Sequence, residues 1–323
     1  MNWTEPKVYA VKHKNEETRA ASQSGGAFTA LSDKVLKEGG VIYGCVLTED
    51  FWAVHIRAED FQTRNLMRGS KYIQSKMADT YKRAQQDLKS GRKVLFSGTS
   101  CQVAGFRKFL GREYENLLCV DIICHGVPSP LIWKEYIEWQ EKKRKGTVSA
   151  ADFRNKLNFG WKSHIETLTM EDGRKINSCI FATLFYGHNA LRPSCYACPF
   201  KSTMHPGDIT IGDYWGIEKA APEFEDNQGI SIVLVNSTVG ERAFEAVKEY
   251  VYWKPTKIED SMQEPLKAPF PRPAKRDLFW KDFSEKDFRY IVGKYGGNGF
   301  KSRVKRRLSV VKHGILKRIS DRK

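Results

Sequence analysis

The segment KVLFSGTSCQVAGFRKFL, residues 93 to 110, decides the fold class. Its apolar run from Val94 to Phe96 predicts a buried strand, and the turn TSC leads into a helix that carries Cys101 at its start. The run Leu117 to Ile123 predicts a second strand, which ends at Cys124. Strands and helices that alternate in this way predict an α/β fold with a mixed sheet and flanking helices.

Both strand ends carry a thiol at the sheet edge where cofactors bind in α/β proteins. The start of a helix stabilises a thiolate, or the negative charge of a reduced cluster, at Cys101. Alternation along the second strand directs Cys119 into the core, whereas Cys124 lies at the strand's exit. We therefore interpret Cys101 and Cys124 as ligands and Cys119 as a packing residue.

The stretch LRPSCYACP, residues 191 to 199, supplies two more thiols at a C-x-x-C spacing, Cys195 and Cys198. A short turn of this kind brings both sulfurs to one metal centre but provides only half of a four-thiolate site. We predict that Cys101, Cys124, Cys195 and Cys198 converge on one iron–sulfur cluster. Thiolates suit Zn²⁺ equally well, so a structural zinc site in a non-redox binding or accessory protein is the alternative.

Two other stretches have the composition of an anion site. Ser24, Gly25 and Gly26 precede a helix whose bare backbone N–H groups would bind phosphate, although a plain turn has the same sequence. In MRGSKYIQSK, residues 67 to 76, the cations and hydroxyls would hold phosphates and Tyr72 would stack on a flat ring. A solvated loop is the alternative for this stretch.

Two residues are candidate catalytic groups. His125 follows Cys124 and is a candidate proton donor, although a lone histidine beside a turn is more often structural. Asp213 ends the alternating segment DITIGDYWG, residues 208 to 216, where a carboxylate would serve a cofactor site or simply cap the strand.

Length and composition allow one large or two smaller domains, since the chain has 323 residues with 41% hydrophobic and 28% charged. We expect a loosely held polar leader (1–21), an N-terminal flavin-binding part (22–100) and a C-terminal cluster-binding part (101–260). A Pro-rich linker and basic amphipathic tail (261–323) would follow. The first residues lack the apolar region of a signal peptide, and no run reaches the roughly 18 apolar residues of a membrane span. A cytoplasmic location is expected, where seven cysteines indicate metal ligation or chemistry.

The net charge of +16 is concentrated near the end of the sequence. Residues 301 to 323 contain ten Lys or Arg residues and one acidic residue, with apolar side chains at helical intervals (Val304, Leu308, Val311, Ile315 and Ile319). Such a helix would lie on anionic lipid at the inner face of the membrane, receive an acidic electron carrier such as ferredoxin, or cap the domain. No nucleic-acid partner is predicted, because the charge gathers on a tail without a recognition motif.

Six ordered motifs together resemble the coenzyme F420 hydrogenase/dehydrogenase beta-subunit family over roughly residues 20 to 260. They are SGGAFTAL from Ser24, GSKYIQS from Gly69, GTSCQ from Gly98, CHGVPSP from Cys124, LRPSCYAC from Leu191 and DITIGDYWG from Asp208.

The resemblance implies an iron–sulfur flavoprotein oxidoreductase that passes electrons between a [4Fe-4S] cluster, FAD and a small-molecule redox substrate, which is a deazaflavin or another acceptor. It assigns the cluster to the four cysteines named above. FAD would be held by Ser24, Gly25, Gly26, Ser70, Lys71, Tyr72, Gln74, Ser75, Thr99 and Gln102. The ferredoxin-like domain that many members carry has no counterpart here, so a second cluster is expected on another chain.

Overall fold

A large mixed sheet forms the centre of the computed structural model, which describes residues 5–297. The strands are β1 (Lys7–His13), β2 (Val41–Leu47), β3 (Ala53–Ala58), β4 (Val94–Thr99), β5 (Leu117–Ile122), β6 (Val148–Asp152), β7 (Glu166–Met170), β8 (Lys175–Ser178), β9 (Ile209–Asp213), β10 (Ser231–Val235) and β11 (Val251–Thr256). The helices are α1 (Glu16–Ala20), α2 (Ala27–Lys37), α3 (Phe61–Asn65), α4 (Thr80–Lys89), α5 (Ser100–Leu110), α6 (Pro130–Arg144), α7 (Lys156–Phe159), α8 (Ile180–Tyr186), α9 (Ile217–Ala220), α10 (Thr238–Glu245), α11 (Arg276–Glu285) and α12 (Phe288–Lys294).

Eight strands form the large sheet in the order β11-β1-β10-β9-β5-β4-β2-β3. The central strands β9, β5, β4 and β2 run parallel, and the strands on either side of them are antiparallel. The carboxyl ends of the four central strands therefore meet at one edge. Open α/β sheets bind their ligands at this edge, so the topology gives the site its position.

Helices cover both faces of the sheet because apolar residues alternate along its strands. Ile42 packs into a cluster with Leu31 of α2 and Phe244 of α10, whereas its neighbour Tyr43 packs with Phe106 of α5 on the opposite face. These two layers confirm the α/β class and the flanking helices expected from the sequence.

A second, antiparallel sheet of order β6-β7-β8 packs with helices on one side of the large sheet. Its core joins Trp133 of α6 and Phe181 of α8 to Phe279 of α11 and Ile291 of α12, all of which are buried. The helix α6 begins after the N-cap Ser129, with Pro130 in its first turn, and ends in basic residues. The strands β7 and β8 form a hairpin whose turn contains Asp172 and Gly173, and Gly173 adopts the left-handed φ of +82° that this turn requires.

Two sequence expectations are wrong. Residues 7–13 are not a loose leader, since β1 lies between β10 and β11 and contributes the buried side chains of Ala10 and Val11. The compact part does not end at the proline-rich stretch, because α11 and α12 follow it and bury apolar side chains in the second core. In residues 7–13, charged neighbours obscured the alternation of apolar residues. In α11 and α12, the prolines that come before them obscured the helical spacing.

The basic tail with its apolar positions from Val304 to Ile319 lies outside the described residues. Within residues 5–297, none of the helices combines the length and the apolar character needed to cross a membrane.

Candidate functional site

A cavity of about 550 Å³ opens at the carboxyl ends of the central strands. Each of these strands supplies part of its wall through Cys45, Thr99, Ile122 and Gly212. Most of the residues predicted from the sequence also line it: Ser24, Gly26, Ser70, Lys71, Tyr72, Gln74, Ser75, Thr99, Cys101, Gln102, Cys124, His125 and Asp213. Gly25, Cys195 and Cys198 do not.

The start of α2 forms one end of the cavity, which we call the glycine end. Gly26 precedes the helix with φ +90°, and no side chain caps the first turn. The N–H groups of the first turn therefore remain available to an anion at the wall of the cavity. Arg68 lies at the same end, where its Nε donates to Thr29 Oγ1 at 3.2 Å.

Gly25 serves the packing of this turn. A Cβ atom there would lie 2.1 Å from the carbonyl oxygen of Val11 and 2.6 Å from the amide nitrogen of Ser231. Only glycine lets the turn approach β1 and β10 this closely, because any side chain would collide with their backbones.

The loop from residue 68 to residue 75 covers the same end. Lys71 Nζ donates to the carbonyls of Leu66, Arg68 and Gly69, so the ammonium folds the loop upon itself. Burial lowers the pKa of Lys71 to about 8. Tyr72 stacks on Phe185 with ring centroids 4.9 Å apart, and Phe153 contacts the same ring edge-on at 5.9 Å.

The turn after β4 places Cys101 at the first turn of α5. Thr99 and Gln102 form a capping box, in which Gln102 Oε1 accepts from the Thr99 amide at 2.9 Å. Gln102 Nε2 also donates to Ser75 Oγ at 2.8 Å, which joins the helix start to the loop. Thr99 Oγ1 lies 3.2 Å from Cys101 Sγ. Thr99 and Gln102 thus line the cavity while holding the helix that carries the thiol.

The chain brings Cys195 beside the segment that follows Cys124. The amide of Arg192 donates to Val127 O at 2.9 Å, and the amide of Ser129 donates to Ala190 O at 3.0 Å. These two bonds fix the C-x-x-C arm, residues 191–199, against the end of β5. Arg276 of α11 also holds this arm, since its Nη2 donates to Leu191 O at 3.3 Å.

Three adjoining segments carry the four predicted ligands and form what we call the thiol end. The pKa of the Cys124 thiol is raised to about 12, chiefly by burial, with contributions from Cys101 and Cys195. Burial likewise raises the pKa of Cys195, to which Cys198 and Cys101 add. As they stand, no three His, Cys, Asp or Glu side chains in residues 5–297 form a group that would hold a metal ion.

A buried polar network links the three segments that carry these cysteines. His205, which follows the arm, has Nδ1 3.0 Å from Asp121 Oδ2 and 3.2 Å from Ser100 Oγ. Thr210 Oγ1 donates to the other oxygen of Asp121 at 2.6 Å. Asp121 is fully buried three residues before Cys124, and Ser100 precedes Cys101. The network therefore positions α5, β5 and the arm relative to one another.

Lys201 places a cation at the thiol end. Its side chain is buried, its Nζ donates to the carbonyl of Cys124, and it lies 4.8 Å from the centre of the Phe270 ring. Burial lowers the pKa of this lysine, and the Cys124, Cys198 and Cys195 thiols oppose that lowering.

His125, the predicted proton donor, lines the cavity beside other rings. Its Nε2 lies 2.7 Å from His188 Nε2, and its ring centroid lies 4.3 Å from that of Phe270. Burial and then the neighbouring His188 lower the pKa of His125 to about 3. The imidazole is therefore neutral at pH 7, and its role as a proton donor stays a prediction.

Asp213, the other predicted catalytic residue, has both carboxylate oxygens occupied. Oδ1 accepts from Trp161 Nε1 at 2.7 Å, and Oδ2 pairs with the guanidinium of Arg154. Arg154 is buried and follows β6, so this ion pair connects the small sheet to the end of β9. Asp213 holds the cavity wall in place, and its catalytic role stays a prediction.

Sequence reasoning missed Arg154, Lys201 and His205. Each makes its decisive contact with a residue far away in sequence, at separations of 59, 77 and 105 residues respectively. For Lys201 and His205 a local signal existed, because they lie three and seven residues after Cys198, the last residue of the C-x-x-C motif. Arg154 lies in the segment DFRNKL, residues 152 to 157, and carries no such signal.

The fold and site together define an α/β protein with a ligand-sized cavity and two thiols at the ends of its parallel strands. The chain matches the family model for the C terminus of the coenzyme F420 hydrogenase/dehydrogenase beta subunit over residues 91–261. It belongs to this family, and membership supports an oxidoreductase role related to coenzyme F420.

A solved structure supports the fold. The F420-reducing [NiFe] hydrogenase complex from Methanosarcina barkeri, in a xenon derivative, contains a chain that aligns with a TM-score of 0.52 at 18% identity. The alignment covers 88% of this chain and 90% of that one. No curated protein matches the chain.

Proposed function

We propose that this protein is a flavin- and [4Fe-4S]-dependent oxidoreductase. It would pass electrons between a ferredoxin-like iron–sulfur partner and a deazaflavin or another small organic acceptor, by way of bound FAD. The observation that carries the proposal is a single cavity with an uncapped helix start at one end and Cys101 and Cys124 at the other. Family membership supports the same chemistry.

The glycine end has the properties that a dinucleotide requires. The cavity volume of about 550 Å³ lies in the range typical of cofactor sites. The first turn of α2 offers backbone N–H groups to a pyrophosphate, and the guanidinium of Arg68 forms no ion pair within residues 5–297. Both features favour a phosphate-bearing ligand over a neutral one.

The thiol end has the properties that a cluster requires. Four cysteines from three separate segments interact electrostatically there, and the buried Lys201 supplies a compensating positive charge. Cys101 at the first turn of α5 gains further from the helix dipole. A thiolate site of high negative charge is stabilised by this arrangement whichever metal it holds.

When bound, a cluster handles single electrons and a flavin stores two, which allows hydride exchange with an organic acceptor. The residues of this chain would hold and orient both groups. Lys71 and the loop of residues 68–75 would close over the flavin and exclude water, and Tyr72 and His125 would flank the cavity. The Arg154–Asp213 ion pair would keep the wall between the two sheets rigid.

Anaerobic purification tests the proposal through visible absorbance, with iron, zinc and flavin measured in the same sample. We expect flavin absorbance bands, a broader shoulder from the cluster and about four iron atoms per chain, as the four-thiolate cluster type requires. A colourless protein with stoichiometric zinc would instead establish the structural zinc site. The acceptor is then sought by following flavin reoxidation with a deazaflavin and with other small acceptors.

The same proposal predicts an electron-transfer partner and a cellular location for the protein. A ferredoxin-like donor would approach the thiol end, because Cys101 is exposed there. We place the protein in the cytoplasm, where the thiols stay reduced, with the basic tail contacting the membrane surface. Co-sedimentation of the full chain with anionic and neutral vesicles tests the membrane contact.

A further inference from the structure

The helices α4 and α5 carry an excess of positive charge beside the thiol end. Residues 79–116, which contain both helices, have eight basic and four acidic side chains. Three of the cations form ion pairs, namely Arg92, Lys93 and Arg107. The other five are exposed and form no ion pair within residues 5–297: Lys82, Arg83, Lys89, Lys108 and Arg112. Asp87 and Glu113 pair with arginines, so only Asp79 and Glu115 remain to offset these five charges.

These cations lie on the same exposed surface as Cys101. Lys82 and Lys89 are seven residues apart on α4, and Cys101 and Lys108 are seven residues apart on α5. Seven residues make about two helical turns, so each pair lies on one face of its helix, about 10 Å apart along the axis. Both helices pack on the same face of the large sheet through one apolar cluster. The exposed cations of α5 therefore lie in line with a predicted cluster ligand.

Aromatic side chains connect the two helices at this surface. The Tyr81 hydroxyl of α4 donates to the carbonyl of Gln102 at 2.8 Å, and the Tyr81 ring centroid lies 5.8 Å from that of Phe109. Phe109 is 41% exposed and directly follows Lys108. An exposed aromatic ring among charged side chains is the composition of a protein interface, in which an apolar centre has a polar rim. We call Cys101, Phe109 and the five unpaired cations the α4–α5 surface.

Cys101 indicates the kind of partner that this surface suits. All seven cysteines lie in the described part of the chain, and Cys101 is the one that is exposed. A positive surface attracts an acidic protein and accelerates its association. Electron-transfer encounters bury less than about 1,200 Å² in total, which is within reach of two helices of ten and eleven residues.

We propose that the α4–α5 surface is the docking site of an acidic electron-carrier protein, whose redox centre would lie close to Cys101. The nature of the partner rests on the proposed function, and the inference adds the surface that receives it. Transfer across this surface would oxidise the partner by one electron and reduce the cluster of this chain by one electron, with no proton moved.

The test is the dissociation constant of the anaerobically purified full chain for a small acidic ferredoxin with [4Fe-4S] clusters. At about 50 mM NaCl, where surface charges are weakly screened, Lys82→Glu combined with Lys108→Glu should raise the Kd at least about tenfold. Lys175→Glu combined with Lys281→Glu is the matched control, since both lysines are exposed on β8 and α11 and form no ion pair within residues 5–297. The control has the same net charge as the first variant and should change the Kd less than about twofold.

Two further measurements separate the contributions to binding. At about 300 mM NaCl the difference between wild type and the Lys82/Lys108 variant should shrink, because salt screens exposed charges. Phe109→Ala should weaken binding about fivefold at both salt concentrations, since it removes apolar contact area. Equal unfolding free energies of the two double variants establish that the loss of binding arises at the surface.

Wild-type protein that does not bind the ferredoxin, or an equal Kd in the two double variants, would overturn the inference. Binding of a single-stranded oligonucleotide or of anionic vesicles through Lys82 and Lys108, without binding of the ferredoxin, would also overturn it. Protein that contains no iron but binds the ferredoxin through this surface would refute the proposed function and leave the docking site supported. Iron-containing protein whose Kd is unchanged by the Lys82/Lys108 variant would have the opposite meaning.

Discussion

The two ends of the cavity are built in different ways. The glycine end is formed by short stretches of chain, in which Gly26 and the loop of residues 68–75 present backbone groups and local cations. The thiol end is assembled from three distant segments that carry Cys101, Cys124 and the C-x-x-C arm. Local chain geometry therefore sets most of the first end, whereas the second depends on contacts between segments far apart in sequence.

Each end also contains one buried lysine, and the two differ in their partners. Lys156 donates to two backbone carbonyls and needs no anion to be satisfied, because its amine can be neutral. Lys201 donates to one carbonyl, that of Cys124, and lies against the Phe270 ring. The comparison shows two ways of burying a lysine side chain, with two backbone acceptors for Lys156 and with one acceptor and an aromatic ring for Lys201.

The largest effect is expected from Cys195→Ala, which removes one ligand of the thiol end. We expect loss of the cluster absorbance and most of the iron, with the flavin absorbance retained, because the glycine end does not depend on this arm. Visible spectra and iron analysis of anaerobic protein provide the measurement. Cys179→Ala, a change at a half-buried cysteine outside the cavity, is the control. A cluster that survives Cys195→Ala would contradict the ligand assignment.

His205→Ala should be the next most severe change. It leaves the buried Asp121 carboxylate without its imidazole partner, which costs about 3 kcal/mol of unfolding free energy. Iron content should fall as well, since the network holds the three cysteine-bearing segments together. Urea unfolding and iron analysis measure both effects. The adjacent and exposed Met204→Ala should change the unfolding free energy by less than about 0.5 kcal/mol.

Residues at the thiol end differ in how far their positions could be predicted from the sequence. Cys101 and Cys124 were predictable because each ends an apolar strand, and strand ends share an edge in an α/β sheet. The contacts of His205 and Arg154 were not, since they join residues that only the folded chain brings together. The strand β1 was missed because its charged and aromatic residues obscure the alternation of apolar and polar positions. That alternation is typical of a strand with one buried face.

Gly26→Ala tests the glycine end. The backbone there has φ +90°, so alanine adds about 1–2 kcal/mol of strain, and its Cβ would lie 3.0 Å from His13 Cβ. We expect weaker flavin binding together with this loss of stability, measured by fluorescence titration of flavin-free protein. Gly39→Ala is the matched control, since Gly39 has φ +73° and open space around it, away from the cavity. Equal flavin affinity in both variants would remove the α2 start from the binding site.

The last prediction is a pH dependence of stability at Lys156. Burial is the main reason that the pKa of Lys156 is lowered to about 7, whereas an unfolded lysine titrates near about 10.4. Between these values the unfolded chain binds the extra proton, so the stability due to this group rises with pH and is lost as pH falls towards 7. The difference in unfolding free energy between wild type and Lys156→Met should therefore increase by up to about 1.4 kcal/mol per pH unit from pH 7 to pH 10. Urea unfolding at pH 7, 8 and 9 measures this slope. If the difference in unfolding free energy stays constant with pH, Lys156 remains charged in the folded protein. The contrast between the surroundings of Lys156 and those of Lys201 would then disappear.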